Sequence, residues 1–255
     1  MDTAESTSSE WYATWFDSPH YHRLYGHRST EEADLFIDNL HAHFGWSGLH
    51  LLDLACGKGR HAAAAAQRGH QVTGVDLSPQ SIDAAKSTYR DMPGLNFATG
   101  DMRLLALEEQ FDGVLNLFTS FGYFDRSEDH LAVLHRIHAH LKPGGFLILD
   151  FLDIDFAKDR LVAEEQVQRG DFTYEIRRQF GSLPSGMDGF TKRISFDEGG
   201  KAYHYKEQVA GLSVADLTRM LRACGFEVQD TFGNYQLDPW ESGVSPRAIL
   251  HATRS

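Results

Sequence analysis

Short apolar runs without polar alternation recur at 49–54, 72–77, 95–98, 114–118 and 146–151. Stretches of helical spacing separate them at 60–68, 79–89 and 128–141. A strand that is apolar at every position is buried on both faces, and strands alternating with helices pair in parallel through right-handed crossovers. The pattern therefore predicts a doubly wound α/β sheet. Two later runs, 226–231 and 248–253, add strands that bring it to seven. Upstream, residues 29–32 fit a capping box, and Ala33, Phe36, Ile37, Leu40 and Phe44 follow at helical spacing. Before that helix, Trp11, Tyr12, Trp15, Phe16, Tyr21 and Tyr25 make a dense aromatic segment, preceded by an opening tail read as disordered.

The rhythm changes after Asp153. Alternating Thr, Tyr, Phe and Ile among charges, with glycine turns near 186 and 199–200, predict an antiparallel meander of about three strands over 166–209. Ser213 then caps a helix that Gly225 ends. The expected organisation is an N-terminal lid and helical segment at 1–45. The main α/β domain follows at 46–255, with a β insertion at about 155–210.

Charge narrows the partners. The formal net charge is -12, from 36 acidic and 24 basic residues. The basic residues are scattered, so a nucleic-acid partner is not expected, and a cationic or neutral small molecule suits the surface better. Cys56 and Cys224 give neither metal spacing nor a disulfide framework, and no metal is expected. Neither a signal peptide nor an apolar span is legible, so no membrane partner is expected and the chain reads as cytoplasmic. The sheet edge and the aromatic lid leave a homodimer possible.

The most informative segment is Asp53-Leu54-Ala55-Cys56-Gly57-Lys58-Gly59, where a buried strand turns into a helix. A helix N-terminus offers unpaired N–H groups, and glycines let a ligand approach the backbone. Alone, the glycine turn also fits a dinucleotide site. Three carboxylates change the picture. Asp53, at the strand end, repels phosphate and attracts an ammonium group. Asp76 ends the next strand, with Leu77 beside it, where ribose hydroxyls bind. Asp101 follows the third strand, suited to an adenine amino group with Met102 against the ring. Ammonium, ribose and adenine without phosphate describe S-adenosylmethionine.

In order, residues 51–59, 72–77, 96–102, 111–118 and 141–149 resemble the successive motifs of class I (Rossmann-like) S-adenosylmethionine-dependent methyltransferases. Ala55 stands where that family usually has its first glycine. The lid segment Trp15 to Arg28 resembles that of uncharacterised bacterial small-molecule-type members. The resemblance implies S-adenosyl-L-methionine as cofactor, held by Asp53, Ala55, Cys56, Gly57, Gly59, Asp76, Leu77, Asp101, Met102, Leu117 and Phe118. It also implies that Tyr21 and Arg28, with Tyr25 and His27, reach the methionine carboxylate.

No fixed catalytic motif is evident, because methyl transfer from a sulfonium is an in-line displacement driven mainly by positioning. Asn116-Leu117-Phe118-Thr119 departs from the Asn-Pro-Pro-aromatic signature of amide-methylating enzymes. Phe121 and Tyr123 are placed to line an acceptor pocket, and Asn234 and Tyr235 face it from a later strand end. Base candidates are His20, His22 and His27 in the lid and Tyr203, His204, Tyr205 and Glu207 in the insertion. His130, His135, His138 and His140 lie on a helix whose other face is apolar and are expected in solvent. The function expected is methyl transfer to a small-molecule acceptor. The alternatives are a cofactor-binding regulatory module without catalysis, and a nicotinamide-dependent oxidoreductase.

Overall fold

The computed structural model describes residues 10–26 and 29–255. The opening tail expected at the N-terminus lies outside them. Three helices lead: α1 (Trp11–Phe16), α2 (Pro19–Tyr25) and α3 (Thr30–Phe44). Ser29 caps α3 by accepting the Glu32 N–H at 3.1 Å. Only this half of the expected capping box forms: the Glu32 carboxylate, which would accept the Ser29 N–H, lies 3.5 Å from the Arg60 guanidinium instead.

The central sheet is built from β1 (His50–Leu54), β2 (Gln71–Asp76), β3 (Leu95–Thr99), β4 (Phe111–Asn116) and β5 (Leu141–Leu152). Between them run α4 (Arg60–Gln67), α5 (Pro79–Thr88) and α6 (Ser127–His140). After the helix α8 (Val214–Ala223), strands β10 (Phe226–Phe232) and β11 (Arg247–Arg254) complete seven strands in the order β10-β11-β5-β4-β1-β2-β3. Pairing is parallel except that β11 runs antiparallel to both β5 and β10. The doubly wound, mostly parallel sheet expected from the chain is thus present.

The unalternating strands have a direct cause. Leu52, Leu54, Val114, Leu147 and Leu149 belong to one buried cluster with Val133, Leu134 and Ile137 of α6 and Leu217 and Leu221 of α8. Leu51, Leu115 and Ile148, their neighbours along the same strands, belong to a second cluster with Phe36, Ile37 and Leu40 of α3 and Ala62, Ala64, Ala65 and Ala66 of α4. Successive side chains point to opposite faces, and each face is covered.

A short helix α7 (Ile154–Asp159) leads into β6 (Glu164–Arg169), β7 (Phe172–Ser182), β8 (Asp188–Glu198) and β9 (Lys201–Ala210). These form a separate four-stranded antiparallel sheet rather than about three strands. The extra strand is β6, whose alternation is between polar residues (Glu164, Gln166, Gln168) and half-covered ones, so it lacks an apolar signature. Lys142-Pro143-Gly144-Gly145, which stands before the apolar run at 146–151, lies inside β5 as an irregular start: Leu141 pairs with Phe111, and the register resumes only at Phe146 opposite Gly113.

Two of the four histidines expected in solvent are buried. His130 is enclosed by Phe121 and Phe124, with ring centroids at 5.2 and 5.4 Å. His140 accepts the Leu107 N–H at 2.9 Å through Nε2 and donates Nδ1–H to the Arg136 carbonyl at 2.7 Å. The apolar positions of α6 mark only one of its faces; the loops at 105–107 and 121–124 cover the edge beside it.

Candidate functional site

A cavity of about 370 Å³ opens at the C-terminal ends of β1, β2 and β4, beneath the N-terminal helices. This is where ligands bind in open α/β sheets. Its floor is the turn after β1. Ala55 at φ 63°, Gly57 at 56° and Gly59 at 80° all take the left-handed conformation. The Ala55 and Cys56 N–H groups both donate to the Val75 carbonyl, at 2.7 and 3.1 Å. A Cβ added at Gly57 would meet nothing within 4 Å, so the backbone there borders open space.

Gly59 differs from its neighbour. It is the residue before α4 and does not line the cavity; a Cβ on it would come within 2.5 Å of the Phe97 ring. Its missing side chain serves helix–sheet packing, a constraint the loop spacing alone does not reveal. Cys56 is buried, and burial pushes its thiol well above the usual range, so it carries no nucleophile.

The three carboxylates line the cavity in different states. Asp53 is buried; burial raises its pKa to about 7 against the opposing Ala62 N–H, and its Oδ2 has no hydrogen-bond partner among the described residues. A buried carboxylate oxygen without a donor is costly unless a ligand supplies one. Asp76 accepts the Gly57 N–H through Oδ2 at 2.8 Å and the Ser78 N–H through Oδ1 at 2.9 Å. It therefore ties the glycine turn to the start of α5, and each oxygen keeps a second lone pair. Asp101 accepts the Arg103 N–H at 2.8 Å and its guanidinium at 2.6 Å. Burial alone would raise its pKa, but Arg103 outweighs it and holds the group ionised.

Leu77, Met102, Leu117 and Phe118 complete the wall around these acids. Phe118 and the following Thr119 sit at positive φ (61° and 57°), a turn held because Asp150 accepts the Phe118 N–H at 2.7 Å.

From the lid, Tyr21, His22 and Tyr25 line the same cavity, with Tyr12 and Phe16 beside them. Tyr25 and the Trp15 indole both donate to Glu207 Oε1, each at 2.7 Å. Lys192 lies 3.6 Å from Glu207 Oε2. Glu207 thus anchors the lid to β9, and the other insertion candidates are also placed away from the cavity. His204 bonds Ser195, while Tyr203 and Tyr205 stack on Phe196. His20 packs against both Phe196 and Tyr203, 3.6 Å from Glu198. Of the described histidines proposed as bases, only His22 reaches the cavity. His27 and Arg28 lie outside the described residues. Tyr123 lines the cavity and Phe121 is buried behind it. Tyr235 does not reach it; its hydroxyl donates to Asp150 at 3.0 Å, and Asn234 binds Asp238.

Sequence reasoning missed Lys58, Arg60 and His61 as lining residues, although all three sit in or just after the glycine turn. It also missed Asp150 and Arg247, which read as ordinary strand residues. No group of three or more metal-ligating side chains occurs among the described residues. No helix there is long and apolar enough to cross a membrane.

This sheet order, with an acid ending β1, a glycine turn and a second acid ending β2, defines the class I methyltransferase fold. Comparison with known proteins agrees. Residues 51–145 match the family model of the methyltransferase domain. The chain is 30% identical to the cypemycin N-terminal methyltransferase of a Streptomyces species, over 78% of this chain and 81% of that one. It is also 30% identical to the glycine/sarcosine N-methyltransferase of Parasynechococcus marenigrum (83% and 73%). Among solved structures, an S-adenosylmethionine-dependent methyltransferase from Clostridium acetobutylicum superposes with a TM-score of 0.76 at 20% identity, covering 92% of this chain and 96% of that one. The S-adenosylmethionine-bound CalS10 structure from Micromonospora echinaspora gives 0.64 at 23% identity, covering 90% and 93%. The chain belongs to the S-adenosylmethionine-dependent methyltransferases, and S-adenosylmethionine is its cofactor.

Proposed function

We propose that the protein transfers a methyl group to a small-molecule acceptor by in-line displacement, with the cofactor held in the cavity above the glycine turn. The observation that carries the placement is Asp53, whose buried Oδ2 lacks a partner beside a backbone that leaves open space at Gly57. A cationic α-amino group satisfies that oxygen, whereas the phosphates of a dinucleotide would meet three carboxylates.

When bound, the cofactor supplies an electrophilic methyl group on a sulfonium. The chain's own residues do the rest. Asp53 holds the ammonium end. Asp76, already fixed by two backbone N–H bonds, accepts the ribose hydroxyls without reorganising. Asp101 and Met102 take the adenine, Leu117 and Phe118 pack on it, and Ala55, Cys56 and Leu77 shape the turn. Tyr21 closes the methionine end. The small-molecule assignment draws on the relatives: by name, the Parasynechococcus enzyme acts on glycine and sarcosine, and a Deinococcus radiodurans relative, 28% identical over 67% of this chain and 60% of that one, acts on trans-aconitate. The first acceptor is an amine and the second a carboxylic acid, so the relatives do not choose between acceptor chemistries.

Calorimetric titration with S-adenosylmethionine, S-adenosylhomocysteine and NAD tests this reading. The first two should bind and NAD should not, and Gly57→Val should abolish binding by filling the space above the turn. Binding of NAD alone, or retained binding in a folded Gly57→Val variant, refutes it.

A further inference from the structure

We infer that the acceptor is an amine seated at the aromatic end of the cavity, and that His22 takes the proton the amine must lose. This rests on the cofactor placement proposed above.

The first observation is the wall. Tyr12, Phe16, Tyr21, Tyr25, Tyr123 and Phe124 all line the cavity on its lid side. They are locked to one another and to buried Trp11. Centroid separations are 5.0 Å for Phe16–Tyr21, 4.9 Å for Tyr21–Tyr25, 5.1 Å for Phe16–Tyr123 and 5.6 Å for Trp11–Tyr123. Packed aromatic rings attract an ammonium group through the ring quadrupole. Charge points the same way. The cavity holds Asp53, Asp76 and Asp101, the last already paired with Arg103, against Lys58 and Arg60, and the Arg60 guanidinium already donates to the Ser29 carbonyl at 2.6 Å and lies over Phe118.

The second observation is His22. It lines the cavity from α2, and its Nε2 is buried without a hydrogen-bond partner among the described residues. Lys58 from the glycine turn and Asp17 at the end of α1 are the charged groups acting on it, with the Tyr21 ring 5.5 Å away. Burial, then Lys58, hold its pKa below the ordinary histidine value, so the imidazole is neutral near pH 7 and able to accept a proton.

The chemistry requires such a group for only some acceptors. A carboxylate attacks as it stands. An amine is an ammonium ion near neutral pH, with no lone pair until a base removes a proton. His22 takes that proton. The nitrogen lone pair then forms a bond to the methyl carbon as the carbon–sulfur bond breaks. The bonding pair stays on sulfur, giving S-adenosylhomocysteine and a methylated ammonium in the aromatic cage.

The test uses the whole chain, loaded with S-adenosylhomocysteine for binding and S-adenosylmethionine for transfer. The probe is dimethylammonium chloride, with acetate as the anion of similar size. Dimethylammonium should bind and acetate should not. His22→Phe should weaken dimethylammonium binding about tenfold, as expected for losing one charge-assisted hydrogen bond, with S-adenosylhomocysteine affinity unchanged. His22→Gln, which keeps an acceptor atom, should retain binding but transfer the methyl group about 100-fold more slowly than wild type. Four results overturn the inference: acetate binding as tightly as dimethylammonium, no dimethylammonium binding, no transfer by wild type, or His22→Gln as fast as wild type. A wild-type protein that fails to bind S-adenosylhomocysteine would instead sink the cofactor placement, so the two failures are distinct.

Discussion

The Arg247 guanidinium lies 2.6 Å from the buried Asp150 carboxylate, where β5 nears its end and the antiparallel β11 begins. Asp150 also accepts the Phe118 N–H and the Tyr235 hydroxyl, while Arg247 donates to Thr119 Oγ1 at 2.9 Å. One ion pair therefore fixes the left-handed turn at Phe118 and Thr119 that forms a cavity wall. Removing one partner leaves a buried charge uncompensated. Arg247→Met should cost about 3–5 kcal/mol in urea unfolding. Asp150→Leu combined with Arg247→Met should cost clearly less than the two single changes summed, because the orphaned charge is gone. Additive losses would show that the pair is not coupled.

Asp76→Ala removes an acceptor for two backbone N–H groups and, in the proposed cofactor placement, for the ribose hydroxyls. S-adenosylhomocysteine affinity should fall by about 1.5–3 kcal/mol, measured calorimetrically. Asp76→Asn keeps an oxygen at the site and should recover part of it. A folded Asp76→Ala protein of unchanged affinity would confine the residue to fixing the turn.

Ala55 occupies a left-handed position that disfavours any side chain with a Cβ. Ala55→Gly should therefore stabilise the protein by about 0.5–1 kcal/mol, the relieved strain outweighing the larger entropy of the unfolded glycine. Ala55→Val should destabilise it. The midpoint of denaturant unfolding reads both signs.

His130 is buried, and burial presses its pKa down to about 4. The folded state holds the neutral ring, while the unfolded state protonates near pH 6.5. The unfolded chain thus binds more protons below that value. Stability is fully present above pH 6.5 and is lost as pH falls from 6.5 towards 4, by on the order of 3 kcal/mol. His130→Leu should flatten that part of the profile, although His70, lowered by burial, then His41 and Arg68, leaves a residual slope. Denaturant unfolding at pH 8 and pH 5 measures the difference. An unchanged slope would mean that the ring already carries its proton when folded.

The sheet was legible because burying strands on both faces demands apolar runs without polar alternation, such as those at 51–54 and 147–151, each interrupted by a single acid, Asp53 or Asp150. The acids and glycines of the first two turns were legible because they stand beside those runs. What could not be read depends on distance along the chain. Nothing near Asp150 signals that Arg247 is its partner, and nothing in the glycine turn signals that Gly59 makes room for Phe97. His130 looked solvated because one helix was considered without the loop that folds over it. Strand β6 was missed because polar residues alternate there with others that are only half covered.

The Glu207 carboxylate joins Trp15 and Tyr25 to a strand more than 180 positions further along the chain. The aromatic wall is therefore jointly owned. A change at Glu207 is also a change in the footing of the N-terminal helices, while the glycine turn rests on Val75 and Asp76 of β2 instead. Two segments far apart in sequence thus share one carboxylate, and the fit of either depends on the other.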